Sequence, residues 1–382
     1  MEMNSMATKK SKSTKETDLC ASGKVQREKE LIQLVRQKAL TYLGLANVTS
    51  VGVGYKIKDG KQTDELAIQF TVHRKLSLES LVAQGLEALP QFFAADDGTL
   101  APVDVIGRSY RPPRQIIKRL APAQIETSEL TPMQIRYSRC DPIMPGISIS
   151  HVDVTAGTFG AVVYDVHNGE PFILSNWHIL NGPTGIIGEQ IVQPAAMDDG
   201  NLLSNVVGRL VRSHLGLAGD CAIASIIGRS LNPAIFERDV IPRRVGVASI
   251  GAEVVKSGRT TGITYGIVRR VGVIVKMDYG LGSEQQVGGF EIVPNVDKLP
   301  DNGRISLNGD SGSVWMVDTE GLDKDVVLGL HFAGENNPCP EEECALACDI
   351  HSVLEKLQVT LANPSLEAPL GVDGTRTAAA LK

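Results

Sequence analysis

A serine stands between two glycines in the run Gly309-Asp310-Ser311-Gly312, and an apolar stretch follows it. Glycine reaches backbone angles that are closed to other residues, so the amides of Gly309 and Ser311 can turn toward one point beside the Ser311 hydroxyl. Two such donors would form an oxyanion hole for a carbonyl group under attack. The pattern predicts a serine nucleophile, and a polar turn between strands is the alternative interpretation.

A serine nucleophile needs a base and a carboxylate that orients the base, and two other segments offer them. His178 follows the apolar run 171–177 where that run turns polar, and Asp220 opens the apolar run 220–224. The end of a buried strand exposes a side chain while the core holds its backbone. We expect Asp220 to accept the second ring proton of His178 and so to set its tautomer. A histidine hydrogen-bonded within a loop is the alternative.

Composition indicates an ordinary globular protein. The 382 residues favour two or three domains and suffice for a full core. A net charge of -6 gives no electrostatic case for nucleic acid or an acidic membrane surface. The N-terminus has no apolar segment that could act as a signal peptide, and no run approaches the roughly 20 apolar residues of a membrane span. We therefore expect a cytoplasmic protein with no nucleic-acid or membrane partner, and the sequence indicates no cofactor.

The six cysteines are expected to be reduced, because the chain shows no export signal. Cys339, Cys344, Cys348 and His351 nevertheless offer four metal ligands within thirteen positions. Their spacing differs from the common zinc-finger spacings. Free thiols are the expectation here, with a small structural zinc site and a local disulfide as alternatives.

Patterning divides the first 145 residues into three parts. Residues 1–24 are polar and basic, and predict a disordered tail. Apolar residues at helical spacing over 25–43, alternation on both sides of Asp59-Gly60, and further runs over 77–89 and 100–106 predict a helix, a β-hairpin, a second helix and a third strand. Residues 25–110 should therefore form a small α/β domain. Six prolines in 111–145 indicate an extended connector.

Beyond residue 145 the apolar runs become short and are separated by glycines, as in a β-sandwich or barrel. The predicted strands are 158–164, 171–175, 205–211, 221–227, 252–256, 266–276, 288–293, 313–317 and 326–332. A helical pattern returns at 349–357. Residues 146–362 are thus predicted to form the all-β part, and 363–382 a C-terminal tail.

The segments 174–180, 219–223 and 309–312 resemble the trypsin-like (chymotrypsin-fold) serine peptidases, in that family's order of His, Asp and Ser. The segments 155–160, 256–262 and 329–334 resemble more closely its intracellular bacterial branch, which is similar to a group of plant nuclear trypsin-like proteins. This likeness covers residues 146–360. Weaker similarity over 51–55 and 102–106 extends to the N-terminal module that often precedes this branch.

The resemblance implies a mainly β fold, a chymotrypsin-like double β-barrel preceded by a small α/β domain. His178 and Asp220 would come from the first barrel, Ser311 from the second, and the amides of Gly309 and Ser311 would hold the oxyanion. The strand 329–334 would pair with the substrate backbone. The substrate-binding residues so implied are Ile305, Phe332, Ala333 and Gly334.

Three departures from the family pattern matter. Ile305 falls where the trypsins proper carry the acid that selects lysine or arginine, so a basic-residue preference is not supported. Ile179 stands where secreted relatives place a disulfide cysteine, in agreement with a cytoplasmic chain. In those relatives an aspartate like Asp310 pairs with an N-terminus released by cleavage. Here Asp310 needs another partner or a cleavage in the connector, and the turn 258–262 is expected to be structural.

The functional expectation is a serine endopeptidase that acts on a protein or peptide substrate. The N-terminal module is expected to contact the protease domain and to gate it or to recruit a regulatory protein partner, because a permanently active cytoplasmic protease would be a hazard. A pseudoprotease that binds peptides as a scaffold and an esterase of small substrates are the alternatives.

Overall fold

Strands dominate the chain, as the sequence predicts, and helices are few. A computed structural model describes residues 23–111, 130–199, 201–335 and 343–364. The first helix, α1, spans 23–34 and continues through a π turn (Val35–Ala39) and a 3-10 turn (Leu40–Gly44), so the predicted helix ends at Gly44. The other helices are α2 (Leu78–Ala83), α3 (Pro132–Tyr137), α4 (Trp177–Leu180) and α5 (Ile350–Leu357).

The strands carry nearly all the remaining regular structure. In chain order the described residues hold β1 (Val48–Lys58), β2 (Lys61–Val72), β3 (Phe92–Ala94), β4 (Leu100–Gly107), β5 (Tyr110–Arg111), β6 (Ser148–His151), β7 (Gly157–Thr158), β8 (Ala161–Asp165), β9 (Pro171–Ser175), β10 (Gln190–Val192), β11 (Val206–Gly216), β12 (Gly219–Ala224), β13 (Arg244–Val245), β14 (Glu253–Gly258), β15 (Gly262–Asp278), β16 (Glu284–Pro294), β17 (Val314–Val317), β18 (Val326–Glu335), β19 (Ala345–Asp349) and β20 (Val359–Thr360).

Two sheets make up the all-β part. Eight strands form the first sheet, in the order β20-β8-β9-β12-β11-β10-β6-β7. In the second, the path β14-β17-β18-β19-β16-β15 closes into a barrel because β14 also pairs with β15. Apolar side chains from both sheets, such as Leu174 and Phe332, form one shared core between them. This is the predicted arrangement of two barrels, with the candidate site residues on both sides of the seam.

The N-terminal strands are continuous with the second barrel. The predicted hairpin of β1 and β2 is confirmed, with Val53 opposite Ile68. The other edge of β1 pairs with the long strand β15, from Ser50 opposite Val275 to Gly54 opposite Arg270. One apolar core joins Leu31 of α1 to residues of the N-terminal strands and of the second barrel. The N-terminal segment therefore shares both its hydrogen-bond ladder and its core with the barrel that carries Ser311.

Several elements differ from the sequence-based predictions for physical reasons. The helix predicted over 77–89 is only α2, which Ser77 caps and which buries no residue, so packing does not extend it. Strand β19 was not predicted because it is only five residues long and nearly all of them are buried, so buried and exposed positions do not alternate. The predicted tails and residues 112–129 of the connector lie almost entirely outside the described residues.

Across the described ranges, no helix has both the length and the apolar character needed to cross a bilayer.

Candidate active site

His178 and Asp220 lie at the ends of two paired strands. Strand β9 ends at Ser175, opposite Ala222 of β12, and α4 begins directly after it and carries His178. Asp220 Oδ2 lies 2.5 Å from His178 Nδ1, and Asp220 Oδ1 accepts the His178 backbone amide at 3.2 Å. Both side chains are buried, at 1% and 0% exposure. The two carboxylate oxygens thus fix both the ring and the backbone of His178.

Three further residues hold Asp220, and the sequence did not indicate that any of them would contact it. The Tyr279 hydroxyl donates to Asp220 Oδ2 at 2.9 Å. Burial raises the pKa of Tyr279 well above its ordinary value, and the negative Asp220 adds to this, so the hydroxyl remains a donor. Asn176 Nδ2 donates to the Asp220 carbonyl at 2.7 Å, and the Asp220 amide donates to Cys348 Sγ at 3.2 Å. Tyr279 follows β15 and reaches Asp220 only through tertiary packing.

Ser311 lies in a tight turn, residues 307–312, which we call the nucleophile turn. Gly309 and Gly312 have φ angles of 101° and 95°, in the region that favours glycine. The amides of Asp310 and Gly312 donate to Leu307 O and His331 O, at 3.0 and 2.9 Å. Among the described residues, the amides of Gly309 and Ser311 donate to no protein acceptor. On either side of the aspartate, the turn thus presents an amide that has no partner within the described part of the chain.

The nucleophile turn contacts the strand that leads to His178. The Thr158 amide donates to Ser311 O at 2.7 Å, and Ser175 Oγ donates to Thr158 O at 2.8 Å. A Cβ atom on Gly312 would lie 2.1 Å from Ser175 Oγ, so only glycine fits between the barrels here. Ser311 therefore lies at the seam between the barrels, beside the end of β9. Strand β9 ends at Ser175, three residues before His178. Thr158 is a site residue that sequence reasoning did not single out.

Asp310, whose partner the sequence left open, is buried in an internal ion pair. Its Oδ2 lies 3.4 Å from Lys256 Nζ, and both side chains have 0% exposure. Its oxygens accept the amides of Thr260, Thr261 and Leu307 at 2.8, 3.0 and 2.9 Å. Burial alone would raise the pKa of Asp310, but Lys256 and the amides of Leu307 and Thr261 lower it below its ordinary value. The carboxylate is therefore charged, and groups within the intact chain provide its ion pair and its hydrogen bonds.

The turn 258–262, which we call the anchoring turn, contacts the nucleophile turn directly. Thr260 Oγ1 donates to Asn308 O at 2.8 Å. Thr158 Oγ1 donates to Gly309 O at 2.8 Å and accepts the Arg259 amide at 2.9 Å. Side-chain hydroxyls thereby hold two carbonyls of the nucleophile turn, those of Asn308 and Gly309. The structural role expected for residues 258–262 is thus a role at the candidate site.

The substrate-binding residues implied by the resemblance belong to different hydrophobic clusters, with Ile305 in one and Phe332 and Ala333 in the other. Ile305 is fully buried at 0% exposure, and its carbonyl accepts Thr264 Oγ1 at 2.8 Å. Phe332 and Ala333 are buried and Gly334 is half-buried, all on β18 after the His331 carbonyl that holds Gly312. Their role in substrate binding remains a prediction.

The described members of the candidate zinc set, Cys344, Cys348 and His351, do not form a metal site. Cys339 lies outside the described residues. Cys344 and Cys348 are buried free thiols, and burial raises the pKa of both. His351 is exposed at the start of α5. Across 23–111, 130–199, 201–335 and 343–364, no group of three or more His, Cys, Asp or Glu side chains is placed to hold a metal ion.

Several solved structures to which this chain is similar are proteases. Thermobifida fusca protease A aligns with a TM-score of 0.42 at 16% identity, over 58% of this chain and 98% of that protein. The Nocardiopsis protease gives 0.41 at 16% identity over 58% and 98%, and a glutamic acid specific serine protease gives 0.42 at 18% over 57% and 99%. No family model and no curated protein matches the sequence.

Proposed function

We propose that the chain is a serine endopeptidase that hydrolyses peptide bonds of a protein or peptide substrate. Ser311 is the nucleophile, His178 the general base and Asp220 the residue that orients it. The amides of Gly309 and Ser311 hold the oxyanion of the tetrahedral intermediate, where one such donor is worth about 3 kcal/mol.

The observation that carries the proposal is the buried pair of Asp220 and His178. A buried carboxylate is costly unless it is paired, and here it accepts from the ring, the backbone and Tyr279. This geometry makes Nδ1 the protonated ring nitrogen, so Nε2 is the atom that can take a proton. A peptide-binding scaffold would have no need for such a pair beside a serine turn.

The chemical steps follow from these roles. His178 Nε2 takes the Ser311 proton as the hydroxyl oxygen attacks the substrate carbonyl, and the imidazolium formed is stabilised by Asp220. The same proton then passes to the leaving amine, which leaves an acyl group on Ser311. A water molecule, deprotonated by His178, releases the acyl group and restores the serine.

Regulation and location are further parts of the proposal. The shared ladder of β1 and β15 supports a role for the N-terminal module in shaping the barrel that carries Ser311. The cysteines at 140, 221, 344 and 348 are free and buried, which fits a reducing compartment such as the cytoplasm.

The first experiment is labelling of the full-length protein with a fluorophosphonate, which reacts with a serine activated by a histidine. We expect the wild type to label, Ser311→Ala not to label, and Ser283→Ala, a matched exposed serine, to label as the wild type does. Asp220→Asn should lower kcat on a cleaved peptide by about 10⁴, because the wrong tautomer of His178 is then favoured.

Two results would redirect the proposal. A folded wild type that never labels would favour the scaffold. Labelling together with cleavage of activated esters, but of no peptide in a broad library, would favour an esterase.

A further inference from the structure

Strand β5 pairs with the strand on which substrate binding is expected. Arg111 lies opposite Gly334 and Tyr110 opposite Glu335, in antiparallel register. This strand lies at the end of the N-terminal module, and its backbone makes the pairing. The chain therefore places two of its own residues alongside β18.

The pairing lies on the edge of β18 that faces the nucleophile turn. On the opposite edge, Gly334 pairs with Ala345 of β19, and the Glu335 amide donates to Cys344 O. His331 donates to Ser313 O and accepts the Gly312 amide, so its backbone faces the nucleophile turn. Because β19 occupies one edge at Gly334, β5 must occupy the other, which is continuous with the His331 contact.

Buried charges hold β5 in this place. Tyr110 is 9% exposed, and its hydroxyl donates to Glu291 Oε2 at 2.8 Å and accepts Arg270 Nη1 at 3.0 Å. Arg108, three residues before Arg111, donates to Glu291 Oε1 at 2.5 Å. Displacing β5 would pull Tyr110 from this network and leave buried charges with fewer partners. Strand β5 is therefore a fixed part of the fold.

We propose that β5 limits substrate recognition to at most two residues on the amino-terminal side of the scissile bond. Between His331, bonded to the nucleophile turn, and Gly334, bonded to β5, only Phe332 and Ala333 remain on this edge. A third substrate residue would need the position of Arg111. Tyr110 and Arg111 are thus specificity-determining, and this inference rests on the proposed function.

The test uses peptidyl phosphonates of one to four residues that react with a serine nucleophile, each acetylated at its amino end. The residue that carries the phosphonate is chosen first, as the one among alanine, leucine, phenylalanine, lysine and glutamate analogues that labels the wild type fastest. In the full-length wild type, the second-order labelling rate should rise up to two residues and stay within twofold from two to four. On a free edge, each added pair of backbone hydrogen bonds would raise the rate by about tenfold.

Variants separate the backbone from the side chain of β5. Arg111→Pro removes the amide that can donate to Gly334, whereas Arg111→Ala keeps it and serves as the matched control. Tyr110→Ala removes the anchor, and its fold is checked by thermal unfolding. Arg111→Pro and Tyr110→Ala should restore a length dependence of about tenfold at the third residue, and Arg111→Ala should behave as the wild type.

Steep length dependence in the wild type would overturn this inference alone. So would a flat profile in both opening variants when both are folded. A wild type that reacts with no phosphonate would overturn the proposed function, and the inference with it.

Discussion

Lys256 and Asp310 form a fully buried ion pair beneath the nucleophile turn, and Lys256 Nζ also donates to Thr261 Oγ1 at 2.8 Å. The Lys256 ammonium lies 5.5 Å from the centre of the Trp315 ring. Lys256 and three backbone amides already satisfy the Asp310 carboxylate, so no free amino terminus is required to neutralise it. The turn can be formed in the uncut protein, which favours the internal partner over an activating cleavage.

Replacing Lys256 with methionine should therefore damage both stability and reactivity. Removing one partner of a buried pair costs about 3–5 kcal/mol, because Asp310 is left as an uncompensated buried charge. Lys256 supports the nucleophile turn through Asp310, so its loss should displace an amide that holds the oxyanion. Loss of one oxyanion donor lowers the rate by about 10²–10³, and we expect a fluorophosphonate labelling rate lower by about 100-fold. Denaturant unfolding and labelling of full-length protein measure the two effects.

Lys298→Met is the matched control, since Lys298 also pairs with an aspartate and lies over an aromatic ring, but at the surface. It should change neither quantity appreciably. Wild-type protein whose intact mass is unchanged and which labels nonetheless would show that no cleavage is needed. Labelling that began only after a cut in the connector would contradict this account of Asp310.

His331 makes stability depend on pH. Burial, aided by the positive charge of Lys256, lowers the pKa of His331 from its ordinary 6.5 to about 3. Trp315 Nε1 donates to His331 Nδ1 at 3.5 Å, which requires an unprotonated ring nitrogen. Between these two pKa values the unfolded chain binds a proton that the folded chain does not. The stability present above pH 6.5 is therefore lost as the pH falls toward 3, by up to about 1.4 kcal/mol per pH unit for this group.

Urea unfolding of the wild type at pH values from 7.5 to 4.5 would measure this slope. His331→Gln should flatten it, whereas His167→Gln, at an exposed position, should leave it unchanged. A slope that is the same in all three proteins would exclude His331 as its source.

At the scale of elements, a buried charge network joins the N-terminal strands to the second barrel. Glu291 of β16 contacts Arg108 after β4, Tyr110 of β5 and Arg270 of β15. Burial would raise the pKa of Glu291, but the neighbouring arginines lower it to about 2. The carboxylate is thus charged at all ordinary pH values and links β16 to β15, to β5 and to the residue that follows β4.

Glu291→Gln should destabilise the protein by about 3–5 kcal/mol, since Arg108 and Arg270 would keep buried charges without their partner. Denaturant unfolding gives the free energy of unfolding. Glu284→Gln lies on the same strand, where an exposed carboxylate pairs with Lys276, and should have little effect. Equal losses in the two variants would mean that the network does not contribute beyond an ordinary surface pair.

At the scale of the whole molecule, the N-terminal segment completes the second barrel's outer layer. Its residues Leu31, Val51 and Phe70 share a core with Phe290 and Trp315, both fully or almost fully buried. Removing the segment would expose this core and the open edge of β15. Removing the N-terminal module should therefore disturb the folding of the second barrel as well as any regulation of its activity.

We expect a fragment of residues 130–364 to aggregate or to unfold without a cooperative transition. Co-expression of residues 1–120 as a separate chain should restore a cooperative thermal transition and fluorophosphonate labelling, because the contacts between the two are non-covalent. A fragment that unfolds cooperatively and labels like the full-length protein would instead establish an independent protease domain.

The sequence determined the local features: the hairpin about Asp59-Gly60, most strands of the two barrels, and the glycines on both sides of Ser311. These features depend on alternation and on backbone angles that glycine allows, which neighbouring residues encode. It also singled out His178 and Asp220, whose direct hydrogen bond the structure shows. Short buried strands such as β19 carry no alternating pattern, so pairing partners define them.

Only the tertiary structure decided what lies next to what across long separations in sequence. Lys256 as the partner of Asp310, Tyr279 behind Asp220, and β5 along β18 all join residues more than fifty positions apart. Such contacts depend on sheet register and closure of the barrel, which no single segment encodes. The sequence could therefore indicate the candidate catalytic residues, whereas the contacts that support them, and the limit that we propose for the substrate, depend on the way in which the sheets pack.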